Sequence, residues 1–525
     1  MKAKSIFFLL PTLLWALASW ASAPEGDFLV QVSPQLKSQP LKLFTMIPTG
    51  SKIEDLGVNN WLRVQMPQKG FTRFNLQALE QNPQILHVQP NFRLSLLEKY
   101  QVKNPRFTKQ AFHPSLGQGL FGDDLPFPFP GGGDDEDKGD GGGLPWPGNG
   151  GSGGKIQDNP PFPALGSSGS GVDTLYPKQW GMSDLGVLDG WKTKAALNSV
   201  IVAVIDTGVD YTHEDLKDNI WRNPGEMGQD SQGRDKSTNG IDDDGNGFVD
   251  DLVGWDFASN DNKPFDLTVP VTDLLFGGGN PGHGTHVAGC VAARSENGKG
   301  VIGVGDNSIK IMALRFLTEK GQGTSADAIK AIRYAVDNGA KISNNSWGSE
   351  GEDPAEASEN KALRDAITYA ESKGSLFIAA AGNGHSGVGY DNDTDSKPSF
   401  PSSYPHDIII SVAAIDKNDN MGSFSNWGLE SVDLAAPGVA VFSTMVGNRY
   451  NDLVIDLFGM KVTWDGTSMA SPHVAGAAAL YWSRNPSKTW KEVKDAVLDS
   501  VHRIPSLNSK VLTGGKLDVR HLMNQ

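Results

Sequence analysis

At 525 residues the chain has room for two or three domains and a large core. Its formal charge of −15, with no run of Lys or Arg, excludes a nucleic-acid partner, because phosphate binding needs basic stripes. A single cysteine, Cys290, excludes an intramolecular disulfide, so stability has to come from core packing, bound ions or both.

In chain order, residues 1–23 read as an export signal. Lys2 and Lys4 precede an apolar run from Ile6 to Ala18, and small residues follow in "ASA" at 21–23. The run is short for a membrane span, so stable membrane insertion is not expected. A core helix of an immature domain is the alternative reading. The expected location is secreted: extracellular from a single-membrane cell, periplasmic in a double-membrane one.

Residues 24–102 hold a small α+β unit. "FLVQV" (28–32) and "WLRVQM" (61–66) read as strands, "FTRFNLQALEQNP" (71–83) has helical spacing and stops at Pro83, and "QILHVQPNF" (84–92) reads as a closing strand. Residues 103–172 change character. "LPFPFPGGGDDEDKGDGGGLPWPGNGGSGG" (125–154) cannot bury enough apolar surface to offset chain entropy, which predicts a disordered linker; its aromatic-Pro patches leave partner binding open.

From 173 to 525, apolar runs alternate with amphipathic ones. "SVIVAVI" (199–205), "IKIMAL" (309–314), "GSLFIAAA" (374–381) and "DIIISVAA" (407–414) are nearly continuous, as parallel strands covered on both faces require. "ADAIKAIRYAVDNGA" (326–340) sets Ile329, Ile332 and Val336 on one helical face. The predicted fold class is α/β, a mainly parallel sheet with helices on both faces, preceded by the small α+β domain. Sites in such sheets gather at the carboxyl ends of the strands.

The loop "NGIDDDGNGFVDD" (239–251) has oxygen-bearing residues at Asp242, Asp244 and Asn246, then Gly247 and Asp250. This resembles the first half of an EF-hand loop, but the bidentate Glu expected at position 12 is Val253. A metal loop and a solvated acidic turn are the two readings. Calcium is the favoured one, with Asp242, Asp244, Asn246, the Phe248 carbonyl and Asp250 as ligands, because so many carboxylates repel one another without an ion.

Three motifs stand at strand or helix ends: "AVIDTGVD" (203–210) with Asp206, "GHGTHVAG" (282–289) with His283, and "DGTSMASPHVAG" (465–476) with Ser468. Each alone reads as an ordinary cap or surface group. An Asp, a His and a Ser in separate loops can also converge in the fold, as nucleophilic catalysis requires. Together, and in this order, they resemble the subtilisin-like serine proteases over most of 173–525. The chain order Asp, His, Ser is also that family's order.

The resemblance implies that Ser468 attacks the peptide carbonyl, His283 carries the proton and Asp206 orients the imidazole. It implies that Asn383, in "AAAGN" (379–383), donates to the oxyanion. "NNSWG" (344–348) would pair with substrate backbone, making Ser346, Trp347 and Gly348 substrate contacts. His286 is implied to be structural, and Cys290 either lies under the catalytic His or is an inert buried thiol.

"ALEQNPQILHVQPNF" (78–92) is similar to the end of inhibitory propeptides, so the 24–102 unit would act as intramolecular inhibitor and folding aid. A structural calcium ion is implied at Asp215 and Asn297, with carbonyls near Lys299 and Val301. The expectation is a secreted, calcium-stabilised serine endopeptidase, a monomer made as a precursor and acting on proteins or peptides. An acidic loop, "YDNDTD" (390–395), leaves open a preference for basic residues near the cut.

Overall fold

Alternation along the first strand sets the N-terminal unit. In β1 (Asp27–Val32), Phe28, Val30 and Val32 face a small core of their own, while Leu29 faces the main core. Both edges of β1 are paired, antiparallel with β3 (Trp61–Gln65) on one side and β4 (Ile85–Pro90) on the other. β2 (Lys52–Asp55) closes the edge, giving the order β2-β3-β1-β4. β5 (Arg93–Leu96) follows β4 and leaves this sheet. The computed structural model describes residues 26–67, 79–98, 173–193, 195–349, 360–457 and 460–525. The expected export signal, most of the helix expected over 71–83 and the expected linker to 172 lie outside them.

The large sheet is built from β6 (Val200–Asp206), β7 (Gly254–Asp256), β8 (Ile309–Arg315), β10 (Ile342–Asn345), β12 (Leu376–Ala380), β13 (Ile409–Ile415) and β14 (Leu434–Pro437). Two short strands, Gly515–Lys516 and His502–Arg503, extend it beyond β14. From that edge the order runs β14-β13-β12-β10-β6-β8-β7, every neighbour parallel; only His502–Arg503 pairs antiparallel. The apolar runs of the sequence became these strands because both faces are covered. α1 (His283–Ala292) and α4 (Thr467–Arg484) pack together on one face, and α2 (Ser325–Asp337) and α3 (Lys361–Ser372) on the other. Every residue of α1 and α4 is buried, and Ala and Gly dominate α4 where it runs against the strands.

The N-terminal unit docks on the first turns of α2 and α3, where backbone N–H groups lack helical partners. Asn91 Oδ1 accepts from Ala326 N at 2.9 Å, and Gln89 Oε1 from Ala362 N at 3.0 Å. Asp365 of α3 accepts from the buried Trp61 Nε1 at 2.8 Å and from Asn59 Nδ2 at 2.9 Å. Leu29, Leu56, Val58 and Trp61 join the main core, so the docking surface is apolar with a satisfied polar rim.

Beyond β4, the chain enters a cleft. β5 lies between β11 (Trp347–Gly348) and β9 (Gln322–Thr324), antiparallel to both. It therefore runs past the carboxyl ends of the parallel strands, where the sequence motifs sit. Among the described residues, no helix is long and apolar enough to cross a membrane.

Candidate active site

Asp206 is the last residue of β6 and His283 the first of α1, and the fold brings them together. His283 Nδ1 donates to Asp206 Oδ1 at 2.7 Å, and both side chains are fully buried. A second carboxylate holds this pair in place. Asp266 accepts from Thr207 Oγ1 at 2.8 Å, from Thr285 N at 2.8 Å and from Asn280 Nδ2 at 2.6 Å. Asn280 Oδ1 in turn accepts from Gly282 N at 2.9 Å and from His283 N at 2.8 Å, where α1 begins. The loop after β6 and the start of the histidine helix are thereby tied to one buried group. Burial pushes the Asp266 carboxyl up to about 6, although four hydrogen bonds oppose it.

Ser468 is the second residue of α4 and is buried. Its hydroxyl donates to the Ser346 carbonyl at 3.2 Å, and Ser346 Oγ donates to the Ser468 carbonyl at 3.0 Å. Asn383 lies just beyond β12. Its Oδ1 accepts from Thr467 N and Thr467 Oγ1, both at 2.9 Å, which turns Nδ2 toward the cleft. The four expected residues thus stand at the ends of β6, α1, α4 and β12.

A fifth group completes the arrangement, and no motif announced it. Glu98, two residues past β5, reaches into the site with its side chain 4% exposed. Its Oε1 accepts from Asn383 Nδ2 at 2.7 Å and its Oε2 stands 3.2 Å from His283 Nε2. A Cβ on Gly466 would come within 2.0 Å of Oε1, so only glycine leaves space for this carboxylate. Burial by itself lowers the His283 pKa, but Asp206 and then Glu98 reverse this and push it up to about 10. With Glu98 in place, His283 is an imidazolium at neutral pH and cannot accept a proton. The only sequence signal for Glu98 is its position just past the propeptide-like segment.

Of the expected substrate contacts, Trp347 and Gly348 pair with Leu96 and Ser95 of β5 through their backbones. The indole of Trp347 points away into the core, edge-on to Phe316 at 4.9 Å. His286 is neutral: burial drives its pKa down to about 3, Nε2 donates to the Val441 carbonyl at 3.0 Å, and the ring stacks on Trp464 at 4.2 Å. Cys290 is fully buried, which pushes its thiol up to about 12.

The residues expected to hold calcium separate into two places. Asp215, fully buried, accepts from Asn297 Nδ2 at 2.6 Å and from Val301 N at 2.8 Å. Burial raises its pKa to about 7 against those two bonds, with Asp173 and Glu214 adding to the rise. In the 239–251 loop the three expected carboxylates, Asp242, Asp244 and Asp250, do not form a cluster with ligand atoms within 4.8 Å of one another. Asp242 turns inward and accepts from Gly245 N and Gly247 N, and Asp250 accepts from Gly240 N. The Phe248 ring packs on Tyr334 and Trp255.

Instead, Asp244 meets Glu226 and Asp251, with ligand atoms within 4.8 Å of one another. Asn246 Nδ2 donates to Asp251 at 2.9 Å and Asn223 Nδ2 to Asp244 at 2.9 Å. Glu226 is fully buried; its Oε1 accepts from Asp243 N at 2.8 Å, and its Oε2 has no hydrogen-bond partner among the described residues. Burial, then Asp251, Asp243 and Asp244, push the Glu226 carboxyl up to about 7. A Cβ on Gly225 would come within 2.4 Å of Asp244, so the loop approaches this closely only over glycine. A buried, unpartnered carboxylate oxygen facing two further carboxylates fits a hard cation bound by oxygen.

The subtilase family model matches residues 198–517. The chain is 34% identical over 333 residues to a thermophilic serine proteinase of Bacillus sp. (strain AK1), covering 63% of this chain and 64% of that protein. It is 33% identical over 369 residues to subtilisin-like protease 1 of Plasmodium falciparum (isolate 3D7), covering 67% of this chain and 47% of that protein. It is 31% identical over 327 residues to thermitase of Thermoactinomyces vulgaris, covering 62% of this chain and 89% of that one. The chain therefore spans less than two thirds of the length of the first two relatives. In fold it is similar to fervidolysin from Fervidobacterium pennivorans, a keratinolytic enzyme related to subtilisin, with a TM-score of 0.61, 22% identity, and 96% of this chain and 62% of that chain covered. A family match over most of the region that carries the large parallel sheet, joined to the buried Asp206–His283 pair, means that this chain belongs to the subtilase family.

Proposed function

We propose that the protein is a secreted serine endopeptidase, made as a precursor, that hydrolyses peptide bonds through an acyl-enzyme on Ser468. The observation that carries this reading is the Glu98 carboxylate held between Asn383 Nδ2 and His283 Nε2. An anionic oxygen on Asn383 stands in for the oxygen of a tetrahedral intermediate, the species this group would stabilise. Once Glu98 leaves, His283 is the base for Ser468 and then the acid for the departing amine. Asp206 fixes the tautomer by accepting from Nδ1 and stabilises the imidazolium without taking its proton. The Thr467 hydrogen bonds hold the Asn383 amide in donating orientation before charge develops, so little reorganisation is needed.

Substrates would lie as an extended strand between β9 and β11, where backbone pairing gives affinity for many sequences. The 24–102 unit would fill the same cleft in the precursor as an intramolecular inhibitor, and residues 103–172 would link it to the 173–525 catalytic domain. Glu226, Asp244 and Asp251 would hold one calcium ion, joined by Asn246 once its amide turns to present Oδ1; Asp215 would hold another with the carbonyls of Lys299 and Val301 and with Asn297 turned in the same way. Calcium there neutralises buried carboxylates and pins surface loops in a protein without disulfides. The enzyme would act as a monomer outside the cytoplasm. The reading is tested by protein hydrolysis with purified enzyme from which the N-terminal unit has been released. Activity absent from the Ser468→Ala protein supports it, and activity retained by that variant contradicts it.

A further inference from the structure

The register of β5 states which residue stands at each place along the cleft. On one side Leu94 is opposite Gly323 and Ser95 opposite Gln322; on the other, Ser95 is opposite Gly348 and Leu96 opposite Trp347. Leu94 and Leu96 are each 4% exposed, while Arg93 and Ser95 turn outward. Leu97 comes next. Its side chain lines one wall of a cavity whose other walls include Gly382, Asn383, Ser349, Tyr390, Ser399 and Asn426, none of them charged. A Cβ on Gly348 would lie 3.3 Å from Leu97 Cδ2, so the side chain fills the space beside β11. The following residue, Glu98, faces His283 and Asn383. The Leu97–Glu98 peptide bond is thus flanked by a neutral pocket on one side and the reactive groups on the other.

We propose that Leu97–Glu98 is the bond this protein cuts in its own chain, and that its cleft selects leucine immediately before the cut. The inference rests on the serine-protease reading above. Glu98 first swings off His283 and Asn383, and the His283 Nε2 proton passes to water, leaving a neutral imidazole. Ser468 Oγ then bonds to the Leu97 carbonyl carbon while its proton passes to His283 Nε2. The C–N bond breaks as that proton goes to the Glu98 nitrogen, which leaves as a free amine. Water hydrolyses the ester, restoring Ser468 and leaving Leu97 as the carboxylate of the 1–97 fragment.

Leucine fits this place because burying its side chain takes apolar surface out of water, while the uncharged lining of the cavity offers no counter-charge to Lys or Arg. The acidic 390–395 loop does not supply one. Asp393 accepts from Glu430 N and Ser431 N, and Asp395 accepts from Lys397 N and stands 3.4 Å from His385 Nε2. Buried Leu94 and Leu96 add two further apolar positions, so the substrate class is a Leu-x-Leu-Leu segment in extended form.

The test follows the full-length chain by mass spectrometry from its first cleavage, beside Ser468→Ala and Leu97→Lys chains and the chromogenic peptides Leu-Ser-Leu-Leu- and Leu-Ser-Leu-Lys-p-nitroanilide. The first products are expected to be a fragment ending at Leu97 and a chain beginning at Glu98, with no cleavage in Ser468→Ala. The leucine peptide is expected to exceed the lysine peptide about 100-fold in kcat/KM. Added active enzyme is expected to cut the Ser468→Ala chain at this bond and to spare it when Leu97→Lys is added. A first cut elsewhere, or equal turnover of the two peptides, overturns the inference while labelling of Ser468 by a phosphonyl reagent keeps the protease reading. Absence of both labelling and hydrolysis overturns that reading and this inference with it.

Discussion

Replacing Glu98 by glutamine removes one charge from the His283 environment and little volume. At the observed 3.2 Å, two unit charges attract by about 5 kcal/mol at an effective dielectric near 20. The glutamine still accepts a hydrogen bond, and relaxation around the site reduces the loss. Opposite charges at such distances move a pKa by about 1–3 units, or about 1.4–4 kcal/mol. His283 should therefore fall from about 10 to about 7–9 in Glu98→Gln, with Asp206 still holding it above the ordinary value.

The sign follows from linkage. A histidine raised from 6.5 to about 10 contributes stability that is fully present below pH 6.5 and is lost as pH rises through 10. The upper limit of that window should move down in the variant. The assay is a histidine NMR titration of the uncleaved Ser468→Ala chain with and without Glu98→Gln, the His283 signal being assigned by its loss in His283→Gln. An unchanged His283 titration refutes the claim that Glu98 holds the imidazole charged.

Asn383→Ala should lower kcat about 10²–10³-fold with KM little changed, measured on a peptide substrate, because its amide donates only to the developing oxyanion. With chelator present, the thermal midpoint should fall as pH rises from about 4 through 7, since burial and neighbouring carboxylates raise Glu226 and Asp215 to about 7; saturating calcium should remove that fall. Calcorimetric scans at several pH values check it, and calcium at about 100 times its Kd adds about 2.7 kcal/mol. Asp365→Ala strands the buried Trp61 Nε1 and should destabilise the Ser468→Ala precursor by about 1–3 kcal/mol in denaturant titrations. Cys290, with its thiol pushed up to about 12, should resist iodoacetamide at pH 8 in the folded protein and react once unfolded, as read by mass.

The strands and the reactive residues were legible in the sequence for different reasons. Runs such as 199–205 and 309–314 are apolar at nearly every position because helices cover both faces, and that pattern survives in one dimension. Asp206, His283 and Ser468 stand where elements end, within motifs of Gly and Thr that shape the turns. The cation cluster was only half legible. Spacing within 239–251 marks a loop rich in oxygen, but which carboxylates converge depends on Glu226, 18 residues before Asp244 and on a separate turn. Glu98 was not legible at all. A lone glutamate between Leu97 and Lys99 carries no motif, and its role comes from β5 pairing with strands more than two hundred residues away.

The measurement closest to the central claim is stoichiometric labelling by a serine-directed phosphonyl reagent, located by peptide mass spectrometry, in the chain before and after release of residues 1–97. One label per chain on Ser468 after release, little before it while Glu98 occupies the site, and none in Ser468→Ala is the predicted result. A label on another residue, or peptide hydrolysis that persists while Ser468 stays unlabelled, contradicts the account.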